Sequence, residues 1–240
     1  MTTDSLAGRK ALVVGASGGM GLAVARALAA EGVSCGLMAR DEARAKQAAA
    51  ACAEAGTPAF PVLCDIGRTD GLEAAVGGAT AKLGGLNFLV FCPGVHVTAK
   101  AQEADLAAFD QMLDINFRAF YHLARHALPE INKAPGGAVV AIGSITVAYV
   151  GAGMHLAGKR ALDGYAEALF EDVRDYGTKV SVIRPGFVNT PMVRSDRLDQ
   201  RLMIQPEDIA RTVLFVLAMP ETACPTEITI RPQRTPYRKV

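Results

Sequence analysis

Short apolar runs alternate along the chain with longer stretches in which apolar residues recur at helical spacing. The runs at residues 11–14, 34–38, 59–63, 88–91, 138–142 and 180–183 have strand length, and a last one lies at 227–230. Helical patterns fill the gaps at 21–30, 41–55, 70–82, 106–131, 155–176 and 206–219. Apolar runs with little polar alternation belong to strands buried on both faces. Strand–helix alternation of this kind predicts an α/β fold: a doubly wound sheet of about seven mostly parallel strands with helices on both faces. Pro206 opens the last helical pattern, where a missing N–H costs little. No repeat, linker or break in composition divides residues 1–240, so one domain is expected.

Composition narrows the function classes. Half of the 240 residues are apolar, a fifth are charged and the formal net charge is +1. Such a balance gives no strong steering towards nucleic acid or acidic lipid, so neither is expected as a partner. No apolar run reaches the length of a membrane span, and the first ten residues hold no signal-peptide stretch. Cys35, Cys52, Cys64, Cys92 and Cys224 are odd in number and lack C-x-x-C spacing. They read as reduced, mostly buried small side chains, which makes the cytoplasm the expected compartment.

The first strand runs into G-A-S-G-G-M-G, with Gly15, Gly19 and Gly21 spaced around Ser17 and Met20. Glycine there permits a tight turn and close approach of a diphosphate. The following helix would offer free N–H groups and the positive end of its dipole to that ligand. A glycine turn can also merely pack a helix on a strand; its place at the first strand–helix junction favours phosphate binding.

This spacing resembles the short-chain dehydrogenase/reductase family, and further markers follow in the family's order to the end of the chain. Asp65-Ile66 resembles its adenine contact, and Phe91-Cys92-Pro93-Gly94 stands where it usually has N-N-A-G. Leu113 to Asn116 is similar to its helix bearing an active-site Asn, and Ile142 to Ser144 to its strand end bearing a Ser. Arg184 to Met192 is similar to the segment that holds the nicotinamide. The resemblance implies a Rossmann-type domain of compact size and a homotetramer or homodimer. Pro185, Gly186, Val188 and Thr190 would then seat the nicotinamide, and Gly94 would lie beside the cofactor.

At the end of the second strand, Ala39-Arg40 replaces the carboxylate that would accept the ribose hydroxyls of NAD(H). A guanidinium suits a 2′-phosphate, so NADP(H) is preferred and NAD(H) remains possible. Ser17 could add a hydroxyl contact. Alternatively, Arg40 is a solvated residue that pairs with Asp41 or Glu42.

The family's catalytic helix carries a Tyr four residues before a Lys. Here Lys159 matches the Lys, but His155 occupies the Tyr position. Residues at i and i+4 share a helix face, so both can reach one pocket. Imidazole is a competent acid/base near neutral pH, and a nearby ammonium would lower its pKa. Its nitrogen would end about 2–3 Å short of a phenol oxygen. The segment from Ser144 to His155 is also two residues shorter than the family spacing, so a redrawn loop or a water would close the gap. By resemblance, Ser144 would polarise the substrate oxygen, Lys159 would hold the ribose, and Asn116 would support a water relay to Lys159. Two readings stay open: a reductase of small carbonyl or alcohol substrates with a substituted acid, or an NADP(H)-binding protein of regulatory role that has lost its chemistry.

Val95, His96, Tyr149, Val150, Met154 and Met192 are expected to line the substrate pocket, with residues 192–205 as its loop. Tyr149 could instead supply a phenol from a new direction. Cys92 reads as filler. His122 and His126 share a helical face without an H-E-x-x-H pattern, so no metal is expected; the family resemblance implies a subunit interface for that helix. The basic, Pro-rich C-terminus reads as a tail over the pocket or a neighbouring subunit.

Overall fold

Strand sequences such as Ala-Leu-Val-Val and Phe-Leu-Val-Phe have nothing to offer solvent on either face, and the fold covers both. The computed structural model describes residues 5–145, 147–193 and 195–238. Its strands are β1 (Lys10–Val14), β2 (Ser34–Ala39), β3 (Ala59–Leu63), β4 (Phe88–Phe91), β5 (Ala138–Ile142), β6 (Lys179–Pro185) and β7 (Glu227–Ile230). All pair in parallel, in the order β3-β2-β1-β4-β5-β6-β7. The expected α/β, doubly wound Rossmann-type sheet of seven parallel strands is what forms.

The helices are α1 (Gly19–Ala30), α2 (Glu42–Ala55), α3 (Leu72–Leu83), α4 (Leu106–Leu113), α5 (Ala119–Ile131), α6 (Gly153–Val173) and α7 (Pro206–Leu217). Successive strand residues feed opposite cores. Ala11, Val13, Cys35 and Leu37 pack with Val24, Leu28, Ala48 and Val213 of α1, α2 and α7. Leu12, Val14, Met38 and Phe91 pack with Val76, Phe120 and Leu162 of α3, α5 and α6. This period of two is what a sheet sandwiched between helices requires.

The expected helix at 106–131 is interrupted. A π-helical turn, Asp114–Arg118, separates α4 from α5 and carries the fully buried Asn116. One extra residue in the turn swings that side chain inward, a device frequent at functional sites. The apolar pattern runs on through the interruption, so sequence alone reads one helix. The strand order reverses between β1 and β4, and the crevice at their carboxyl ends is where sheets of this kind bind ligands.

Candidate active site

The turn after β1 can be built only from glycine at two positions. Gly15 has φ of 74°, and a Cβ there would lie 3.0 Å from Pro93 Cγ. A Cβ on Gly21 would lie 2.3 Å from the Gly15 carbonyl oxygen. Gly18 precedes α1 with no side-chain cap, which leaves first-turn amides free to meet an anion. Ser17 and Met20 are half-buried in the same turn.

Thr190 closes on this turn from the far side of the crevice. Its Cγ2 is 3.4 Å from where a Gly19 Cβ would stand. The segment that carries it is fixed at several points: Gly186 N donates to Ile230 O at 2.8 Å, and Val188 bridges to Ile204. Pro185 ends β6, Val188 is buried in the first core, and Thr190 is the residue of this tethered segment that reaches the glycine turn.

At the end of β2, Arg40 is exposed and makes no ion pair among the described residues. Its acidic neighbours are engaged elsewhere. Asp41 caps α2 by accepting from Arg44 N at 2.9 Å, and Glu42 lies 2.7 Å from Lys46 Nζ. Pairing of Arg40 with Asp41 or Glu42 is thus absent. Asp65, beyond the adjoining β3, accepts from Gly67 N at 3.0 Å, and Ile66 packs against the second core.

Deeper in the crevice, Lys159 is buried and its Nζ donates to the Ile142 carbonyl at 2.9 Å. Lys159 and Asn116 converge on Gly94, where a Cβ would be 3.4 Å from Nζ and 3.6 Å from Asn116 Oδ1. Asn116 clamps the next residue: Oδ1 accepts from Val95 N at 2.8 Å, and Nδ2 donates to Val95 O at 2.9 Å. This two-bond clamp is the hydrogen bonding that the described residues give Asn116. Ser144 follows β5 between two tied amides, Gly143 N to Ile183 O and Ile145 N to Pro185 O. Its own hydroxyl makes no hydrogen bond among the described residues.

His155 is half-buried, one helical turn before Lys159 on α6. Its ring meets the edge of His96, with centroids 4.6 Å apart and planes at 85°. His155 Nδ1 is buried without a hydrogen-bond partner. The exposed His96 places Nε2 2.8 Å from the Tyr149 hydroxyl. Burial pushes the His155 pKa down to about 4, helped by His96 and Lys159, while the Val95 backbone acts in the opposite direction. The expected lowering by Lys159 is present, but burial is the larger cause and His96 was not anticipated.

Burial also lowers Lys159 to about 8, against the pull of Asp163, which itself lies 3.2 Å from Arg184 Nε. It raises the Cys92 thiol to about 12, so Cys92 stays protonated, as filler should. Of the other residues expected at the pocket, Met154 is buried, whereas Tyr149, Val150 and Met192 are exposed.

No pattern in the sequence marks Phe187 and Tyr237 as partners. Their rings meet with centroids 5.6 Å apart, as the C-terminal segment crosses back to bridge Leu198. The tail therefore lies against Leu198 of its own chain, within the segment expected to form the substrate loop. His122 and His126 have ring centroids 6.4 Å apart. Among the described residues no three His, Cys, Asp or Glu side chains gather as a metal site, and no helix is long and apolar enough to cross a membrane.

Comparison with known proteins agrees with this geometry. An oxidoreductase of Staphylococcus epidermidis, itself uncharacterized, is 28% identical over 229 residues, spanning 92% of this chain and 96% of the relative. A short chain dehydrogenase from Burkholderia cenocepacia, solved in complex with NADP, superposes with a TM-score of 0.88 at 28% identity, covering 95% of this chain and 98% of that one. A dehydrogenase/reductase from Sinorhizobium meliloti gives 0.87 at 30% identity, with 95% and 96% covered. The family model for short chain dehydrogenases matches residues 9–201. With that match laid over the glycine turn, the Ser144 strand end and the Lys159 helix, the chain belongs to the short chain dehydrogenase family.

Proposed function

We propose that this protein is an NADP(H)-dependent oxidoreductase that moves a hydride between the nicotinamide and a carbonyl or secondary alcohol carbon of a small molecule. The observation that carries this reading is the meeting of His155 and Lys159 on one helix face with Lys159 anchored at the strand end that bears Ser144. The choice of NADP(H) is supported by the unpaired Arg40 and by the relative from B. cenocepacia that binds NADP.

When bound, the nicotinamide gives or takes the hydride. The chain's residues divide the remaining work. Gly15, Ser17, Gly19, Met20 and Gly21 cradle the diphosphate, Arg40 meets the 2′-phosphate, and Asp65 and Ile66 flank the adenine. Lys159 and Gly94 border the ribose, and Pro185, Gly186, Val188 and Thr190 seat the nicotinamide. The Ser144 hydroxyl donates to the substrate oxygen as charge develops there. His155 holds or accepts the proton, with a water spanning the shortfall of about 2–3 Å left by the shorter side chain.

A lowered pKa keeps His155 deprotonated and available as a base, at the cost of a weaker pull on the proton. It is neutral above pH about 4, so alcohol oxidation is supported at neutral pH. Carbonyl reduction through a protonated His155 declines as pH rises above that value.

The unpartnered Nδ1 and weak proton affinity of His155 favour a second reading, a cofactor-binding protein without turnover. Wild type, His155→Ala and His155→Tyr are compared for NADPH binding and for turnover on a panel of alcohols and carbonyls. Loss of about a hundredfold or more in kcat for the Ala variant, with NADPH still bound, supports catalysis by His155. Tight NADPH binding without wild-type turnover, rescued only by Tyr, supports the second reading.

A further inference from the structure

His155 lies half-buried against the ring of His96, and His96 and its partner Tyr149 are both exposed. They come from separate loops, after β4 and after β5, and are joined by a 2.8 Å hydrogen bond. Neither loop is left to drift. Asn116 pins Val95 on both sides, which holds the adjoining His96 against the His155 ring.

A base at the position of His155 must discard each proton it collects before the next turnover. The buried Lys159, itself a cation, is a poor recipient. An exposed imidazole edge-on to His155 is a good one. We propose that His96 is a second acid/base residue, which exchanges the substrate-derived proton between His155 and solvent, and that Tyr149 is the positioning residue that orients it. This rests on the reading of His155 as the acid/base.

In alcohol oxidation, the O–H bond breaks as an N–H bond forms on His155. That N–H then breaks as one forms on His96, through ring movement or one water, and His96 releases the proton to solvent. With Nε2–H donated to the Tyr149 oxygen, the other His96 nitrogen keeps the lone pair that accepts it. Reduction runs the same transfers backwards. The titratable groups facing the relay are Lys159 on α6, Tyr237 from the C-terminal segment, and the relay's own members.

Two measurements test this. Imidazole nitrogens are followed by NMR against pH in wild type, His96→Phe and Tyr149→Phe. The His155 midpoint is expected to rise in His96→Phe, and the protonated nitrogen of His96 to change in Tyr149→Phe; an unmoved His155 midpoint overturns the coupling. Alcohol oxidation is then measured in His96→Ala, which should lose about tenfold in kcat with unchanged NADP⁺ affinity and recover with added free imidazole. Wild-type kcat and pH profile in His96→Ala, alongside an inactive His155→Ala, overturn the relay and leave the proposed function standing. Full activity in His155→Ala overturns both.

Discussion

The two sides of the crevice are made in different ways. On the cofactor side, the β1–α1 turn is a backbone structure fixed by steric exclusion: the chain passes so close to itself at Gly15 and Gly21 that no side chain fits. On the substrate side, the mouth is formed by side chains from loops far apart in sequence, with His96, Tyr149, Val150 and Met192 at an exposed rim. A backbone cradle tolerates almost no change. A rim of side chains can be rewritten one residue at a time.

The sharpest way to break this contrast is to place a methyl group in the cradle. Gly21→Ala puts a Cβ 2.3 Å from a carbonyl oxygen, so the turn must open. It should cost at least about 3 kcal/mol in urea unfolding and abolish NADPH binding. A larger side-chain change at an exposed position, Met192→Ala, serves as the control and should leave stability within about 0.5 kcal/mol.

Next in size is the loss of Arg40. Arg40→Ser should weaken NADPH about tenfold or more while leaving NADH nearly unchanged, because a charge-assisted contact to phosphate contributes about 1.5–3 kcal/mol. Isothermal titration with each coenzyme measures it. Equal weakening of both would move recognition of the 2′-phosphate elsewhere.

The smallest effect sharpens the picture of the rim. His155 binds its proton less readily when folded, near pH 4, than when unfolded, near 6.5. The unfolded chain therefore takes up more protons between those values, and stability falls as pH drops from about 6.5 to 4. Partial exposure limits the contribution to about 1–2 kcal/mol. His155→Phe should flatten that part of the stability–pH curve, as read by urea unfolding at a series of pH values.

The same contrast explains what was legible in the sequence. Strand runs and the glycine turn could be read because two-sided burial and backbone closeness impose strict residue types, Arg40 because its charge ends the second strand, and Ser144 and Lys159 through the family resemblance. The π-helical turn at Asn116 was hidden, since the apolar pattern continues through it and only the extra backbone residue redirects the side chain. The meeting of His96, Tyr149 and His155 was equally hidden. Each was named as a pocket or catalytic candidate, but loop geometry alone decides that one imidazole rests on the other and that Tyr149 holds the first. The sequence leaves the C-terminal segment over the pocket or a neighbouring subunit, and the bridge from Tyr237 to Leu198 lays it on its own chain.

The most direct test of the account is titration of the purified wild-type chain with NADPH and with NADH in a calorimeter. Saturable binding of NADPH, about tenfold or more tighter than NADH, is the predicted result. Absence of heat with both coenzymes, or equal affinity for the two, would contradict it.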